Sequence, residues 1–475
     1  MFAPLPRADY ENVHRVDALA RWTFREEKAL VRKTDLRVML VLMFLSLDLD
    51  RGNISQANSA DFLKDLKLTT NDYNMGTSLA RAGFLIAELP SQLISKRIGP
   101  DHWIPMQMCL WSIVAGSQFW LSGKSSFLAT RFLVGLFQGG FIPDVVLYMT
   151  LAFFFTCNFS VNIFAGFLAI GLLQLNGVRG HAGWRWLFLI EALFTFVVGF
   201  ITFFNMPPCP TATKTWFRPK GWYTDREEII MTNRILRDDP GTISLSMLWE
   251  SICDFDLWPL YAVGLVFVLP EIPVQAYLTL AFRELGFSTV TTNLLTIPTL
   301  ALAILTLMAI TCLSEAVNER SFVASLQYLW IMPCLIALYY LPPHRPWAYF
   351  AVTTVLLGSP SVQAIAVSWV SMNAGSVRTR TVGASLHNMM VQVSSIIGSY
   401  IYRADDRPLY RRGNRALIGI CAINLALFPL IKLYYIQRNK YKRSQWEALS
   451  PEEQANYLKR TKERGSKRLD FQFFH

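Results

Sequence analysis

Several charged and polar side chains lie inside segments that are otherwise apolar, and their types suit a path for an anion and a proton. Asp48, Asp50 and Arg51 fall within "FLSLDLDRGNI". Arg81 and Glu88 are seven residues apart, so one helix carries both on about the same face. Arg131 opens "RFLVGLFQGG", Glu191 ends "WRWLFLIE", and Glu271 stands between Pro270 and Pro273. His387, Asn388 and Gln392 follow near the end of the chain, with Asn388 and Gln392 sharing a helical face. A charge at the middle of a membrane helix costs about 2.5–3.5 kcal/mol, so each needs a partner, water or a task. The planar fork of arginine matches both oxygens of a carboxylate. Arg81 and Arg131 are therefore the expected substrate contacts, with His387, Asn388 and Gln392 as polar partners. Burial favours the neutral form of a carboxyl group, which makes Asp48, Asp50, Glu88 and Glu271 the expected proton carriers. Each has a structural alternative: ion pairing between helices for the charges, hydrogen bonding between helices for the amides, and a plain kink at Glu271. Arg51 and Glu191 read as structural partners.

The elements that must position these groups are helices that cross a membrane. Of 475 residues 52% are hydrophobic and only 17% charged, below the roughly 25% charge of an ordinary soluble chain. Apolar blocks recur at the length that spans a hydrocarbon core of about 30 Å as a helix. They fall near 35–58, 73–95, 103–121, 126–150, 157–176 and 184–206, then 258–282, 288–314, 322–341, 347–374, 381–402 and 416–436. Twelve spans in two bundles of six result, an all-α polytopic fold. The expected organisation is a tail 1–34, a bundle 35–206, a central hydrophilic segment 207–257, a second bundle 258–437 and a tail 438–475. The weakest joint lies between Arg131 and Arg179, where Asp144 is the one charged residue. Two spans fit there only with a very short turn, expected around "TCNFS" (156–160).

Thirty of the 45 Lys and Arg residues fall in the two tails, the central segment and the loops on that same side. The excess of positive charge marks the cytoplasmic face, so both termini are expected in the cytoplasm. The basic balance then reflects topology and anionic lipid, not nucleic acid. Seven cysteines and six histidines are scattered, without the spacing of a metal site. No catalytic cluster, phosphate loop or nucleotide fingerprint occurs, so neither an enzyme nor a cofactor is expected. Thr224 with Glu227, and Ser450 with Glu453, have capping-box spacing for two helices outside the membrane. Trp184 and Trp186 read as an interfacial belt, with Arg185 anchored at the headgroups.

Longer strings carry a resemblance. "LDLDRGNI", "ELPSQLISKRIGPDHWI", "RFLVGLFQGGFIPD", "GWRWLFLIEALFT", "RPKGWYTDREEIIMTNRILRDDP", "VRTRTVGASLHNM" and the terminal "RLDFQFF" resemble the allantoate permease branch of the major facilitator superfamily, and the fungal pantothenate and vitamin transporters in particular. The resemblance covers nearly the whole chain. It implies the major facilitator fold in the plasma membrane, working as a monomer, and proton-coupled import of an organic anion of the pantothenate, biotin, nicotinate or allantoate class. "SKRIG" (Lys96, Arg97) and "SEAVNER" (Glu315, Arg320) look like diverged forms of that superfamily's gating loops. Relatives carry a charged loop after the fourth span, whereas here "FFFT" runs straight into "CNFSV". The fourth and fifth spans are thus shortened, and the alternative function is a non-transporting sensor or a degenerate or mis-spliced relative with a damaged fifth helix.

Overall fold

Helices start and stop where the sequence supplies caps and breakers. The computed structural model describes residues 17, 20–23, 25–27, 29–30, 38–141, 151–206, 213–214, 219, 221–238, 249, 252–342, 345–374, 377–406, 409–460 and 465–475, with the backbone alone over 38–41, 44, 96, 151–160, 234–238, 377–381, 404, 455, 458–460 and 465. In the first half, α1 (Val38–Asn58), α2 (Thr70–Ile98), α3 (Pro100–Ser117), α4 (Lys124–Gln138), α5 (Leu151–Leu173) and α6 (Gly183–Asn205) lie on the expected spans. An amphipathic helix, α7 (Asp225–Asp238), follows. The second half contains α8 (Trp258–Val266), α9 (Ile272–Glu284), α10 (Thr289–Val317), α11 (Ser321–Tyr340), α12 (Pro346–Leu357), α13 (Gln363–Asn373), α14 (Val377–Ser399) and α15 (Arg411–Glu447), and α16 (Pro451–Arg460) ends the series. No strand occurs among the described residues.

Two of the expected spans are broken in the middle. Span 258–282 divides into α8 and α9 around Pro270, and 347–374 divides into α12 and α13 around "GSPSV". Side chains satisfy the backbone groups that each break frees. Asn424 donates to the Val266 carbonyl and Tyr328 to that of Phe267, both at 3.1 Å. Thr306 donates to the Gly358 carbonyl at 3.0 Å, and Gln327 accepts from the Val362 N–H at 3.2 Å. In hydrocarbon an unsatisfied backbone group costs several kcal/mol, so breaks survive only where neighbouring helices supply partners. Among the described residues, four helices (α6, α10, α11 and α15) are long and apolar enough on their own to cross a membrane.

The two halves have separate apolar cores. One buried cluster runs from Leu257 to Phe473, and two others lie between Met43 and Val198. Outward faces remain apolar: Leu193, Phe200, Leu305, Leu329 and Ile423 are each more than half exposed, as a lipid-facing surface requires. Within the first half, α2 and α4 meet backbone to backbone. A Cβ on Gly135 would sit 1.9 Å from the Ala80 carbonyl oxygen, and one on Gly83 2.5 Å from that of Phe132, the close approach that small residues permit.

The structure corrects the expected turn at "TCNFS". α5 runs unbroken through 156–160, and the stop falls earlier, at Gly139–Gly140. Gln107 holds the Gly139 carbonyl at 2.8 Å, and Gly140 takes a positive φ of 85° against Ser91. The glycine pair ends α4, and α5 begins at Leu151. Asp144 lies outside the described residues. A second correction concerns the aromatic belt. Trp184 is fully buried, donating to Asp65 at 2.9 Å within a cluster with Phe62 and Phe188. Arg185 donates to the carbonyls of Phe119 and Leu121 and lies over the Trp184 ring, so Arg185 ties α6 to the segment after α3, while Trp184 ties it to residues 62–65 between α1 and α2. Both capping boxes form as the spacing indicates, at Thr224–Glu227 and Ser450–Glu453.

The C-terminus returns to the bundle. Asn439 donates to the Phe473 carbonyl and accepts from its N–H, both at 2.8 Å. Asn373 does the same for Phe474, at 3.1 and 2.8 Å. Phe473 is buried against Tyr435, and Ser466 donates to Asp254. Burial pushes the Asp254 carboxyl above its ordinary range, and the Ser466 hydroxyl acts against that.

Candidate substrate path

The halves meet along a polar seam between α2 and α14. Asn74 donates to the Tyr402 carbonyl at 3.4 Å and accepts from the Tyr277 hydroxyl. Arg81 donates to Gln392 at 2.8 Å, Asn388 to Glu88 at 2.7 Å, and Gln92 to Ser385 at 3.1 Å. From residue 74 to residue 92 a helix rises about 27 Å, nearly the whole hydrocarbon thickness. Ser55 and Ser59 of the first half add bonds to Thr279, Thr289 and Asn293 of the second, at the end where α1 finishes.

Three arginines gather on the first-half side of this seam. Arg51 and Arg81 are half-buried, while Arg131 is 6% exposed. Arg51 donates to Gln138 at 3.3 Å and lies over the Phe84 ring at 5.1 Å. Arg81 feels the positive charges of both Arg51 and Arg131. Arg131 has Asp50 and Tyr73 as its favourable electrostatic neighbours, but its Nε and Nη1 have no hydrogen-bond partner. Asp48 and Glu88 are the carboxylates nearest Arg51. Glu88 is fully buried, its Oε1 bonded to Asn388 and its Oε2 unpartnered. Asp50 is 1% exposed and accepts from Trp111 at 2.9 Å and Thr195 at 3.0 Å. Like charges held together with donors to spare favour an incoming anion that satisfies them.

The other expected site residues fall elsewhere. Glu271 caps the break before α9, and its Oε1 accepts from Gln327 at 2.6 Å and Ser359 at 2.7 Å, within the second half. His387 is 1% exposed, stacked on Phe267 with its Nδ1 3.2 Å from the Leu260 carbonyl. It faces α8, away from Arg81 and Glu88. Arg97 and Glu315 are exposed at the ends of α2 and α10; Arg320 donates to Asn318 at 3.3 Å; the Lys96 side chain lies outside the described residues. The firm contact at this loop is one that sequence spacing did not single out. Lys432 pairs with Glu319 at 2.5 Å over the Phe322 ring, bridging α15 to α11. Gln138, Asn53 and Gln327 were likewise missed, because an uncharged amide in an apolar segment carries little signal until its partners are known. At the opposite end of the seam, Asn71, Asp72, Asn74, Met75, Lys124, Tyr400 and Arg403 line a cleft of about 320 Å³.

Residues 40–399 match the Major Facilitator Superfamily. The chain is 40% identical to an uncharacterized transporter of Saccharomyces cerevisiae, YIL166C, over 98% of this chain and 90% of that one. It is 27% identical to the major facilitator-type transporter hxnP of Emericella nidulans, over 88% and 86%. Among solved structures it is similar to a bacterial homolog of the human lysosomal transporter Spinster, with a TM-score of 0.64, 15% identity, and coverage of 88% of this chain and 99% of that one. A D-xylose–proton symporter gives a TM-score of 0.59 at 12% identity, over 82% and 96%.

Proposed function

Because the chain belongs to the Major Facilitator Superfamily, a family of multi-pass membrane transporters and not of enzymes, we propose that it imports a small organic anion together with a proton. The observation that carries this reading is the cluster of Arg51, Arg81 and Arg131, with two donors of Arg131 unpartnered in a buried site. A carboxylate entering between the halves meets the arginines and replaces their mutual repulsion with charge-assisted bonds. Glu88, bonded across the seam to Asn388, carries the proton, since its charged form is the costly one when buried. Transport then proceeds by rocking the bundles 35–206 and 258–437 about this seam. The sequence strings support membership of the allantoate permease branch and a substrate of the pantothenate, biotin, nicotinate or allantoate class. The distribution of Lys and Arg supports cytoplasmic termini, and the resemblance of those strings supports a plasma-membrane location.

A second reading, a non-transporting sensor or degenerate relative, keeps one specific support. The alignment with YIL166C spans 490 positions against a chain of 475, so part of that relative has no counterpart here, and α4 is only 15 residues long. Against it, α5 is a full 23-residue helix that packs on α1, α6 and α10. Uptake of the four radiolabelled anions into cells that display the protein, with and without a proton uncoupler, decides between the readings. Accumulation of at least one, abolished by the uncoupler, is expected of the importer. Failure of all four favours the second reading.

A further inference from the structure

The arginine cluster leaves one set of buried polar groups without a role. Trp111 and Thr195 both donate to the Oδ2 atom of Asp50, and its Oδ1 has no partner. Asn53 lies one turn along α1 on the same face; it is 0% exposed, and neither amide atom is bonded. Glu191 lies one turn before Thr195 on α6, again 0% exposed, with neither carboxylate oxygen bonded. Asn53 is its polar neighbour, and Asp50 is the charge that faces it. Of the other packed elements, α3 offers Trp111, and residues 161–173 of α5 carry no titratable group. Arg131 of α4 faces Asp50. A buried carboxylate that faces a second carboxyl group and has only a neutral amide beside it cannot remain charged in such a place without a large penalty. The two acids also differ in kind, because Asp50 has two bonded donors and a nearby guanidinium, whereas Glu191 has only the neutral Asn53 amide beside it.

We propose that Glu191 is a resident proton carrier, which with Asp50 forms a two-carboxyl, one-proton pair sealed between α1 and α6. In the resting pair Glu191 is the neutral acid and Asp50 the carboxylate. Transfer breaks the Glu191 O–H bond and forms one on Asp50 Oδ1. The pair keeps one proton and one negative charge, but the charge leaves the side that Arg131 faces. Arg131 is then free to hold the substrate anion, so the use of the pair rests on the importer reading, although its existence does not. The Asn53 amide, able both to accept and to donate, is placed to relay the proton.

Infrared spectroscopy of the purified full-length protein tests this without a substrate. A protonated buried carboxyl gives a C=O stretch that persists at neutral pH and shifts in heavy water. The expected result is that E191Q loses one such band, D50N keeps it, and E191D shows it displaced, all three unfolding cooperatively. A wild type without the band, or an E191Q protein that retains the full signal, overturns the proposal. So does loss of the band in D50N while E191Q keeps it, which would put the proton on Asp50. Where one of the four anions is transported, E191Q should still exchange labelled for unlabelled anion while uphill accumulation falls at least tenfold. Failure of all four anions with the band intact would overturn the importer reading and leave the proton pair standing.

Discussion

Replacing Asn388 by leucine removes the donor that Glu88 Oε1 takes from the opposite half. Glu88 is fully buried and its Oε2 already lacks a partner, so the variant leaves the whole carboxyl group without a donor. An acceptor stranded in this way costs about 1–3 kcal/mol, which shifts the equilibrium between bonded and opened seam about 5-fold to about 150-fold. The variant also takes away one of the three side-chain bonds between α2 and α14 among the described residues. Spin labels at Ile98 and Val317, both exposed and at the same end of the two halves, report the seam opening as a longer distance in pulsed electron resonance. The long-distance population should grow in Asn388→Leu. In Glu88→Leu with Asn388→Leu it should return towards wild type, because no polar group is then stranded. A distribution unchanged in the single variant would refute the reasoning, as would a double variant that adds the two single effects.

Arg131→Gln removes the cation whose Nε and Nη1 are unpartnered; the loss of a charge-assisted contact should raise KM for the transported anion about tenfold or more while surface expression holds. Asp72, just ahead of the span 73–95, is held at about 2 by hydrogen bonds from the Lys124 ammonium and Thr69. A carboxyl lowered on folding contributes stability above its unfolded value of about 3.9, which is lost as pH falls through the folded value. Asp72→Asn should therefore lower the thermal midpoint at neutral pH and match the wild type as pH approaches 2. Asn439→Ala deletes both bonds to Phe473; carboxypeptidase should then digest the C-terminus several-fold faster, with the membrane bundle unaffected.

Helix positions were legible in the sequence because apolar length reports them directly, and so were the two capping boxes. The broken spans were half legible: prolines at 270 and 273 marked a weak point, but the donors that make it tolerable, Asn424 and Tyr328, come from distant helices. "TCNFS" was misplaced as a turn because its polar residues stood out in an apolar run, whereas the signal that mattered was the glycine pair at 139–140. Among the site residues, the charged ones announced themselves, and Arg81, Glu88, Asn388 and Gln392 do meet across the seam. What sequence spacing could not reveal is which half each group serves. His387 and Glu271 turn into the second half's own packing, and Glu191 stands beside Asp50 through a contact between α1 and α6 that no spacing encodes.

Uptake of nicotinate against nicotinamide into vesicles bearing the protein, with an imposed inward proton gradient, tests the central assignment most directly for a ligand of that class, alongside the same measurement for pantothenate, biotin and allantoate. Concentrative uptake of a carboxylate, absent for its uncharged amide and abolished in Arg81→Gln, is the predicted result. Equal uptake of acid and amide, or full activity in Arg81→Gln and Arg131→Gln, would contradict an arginine-held anion.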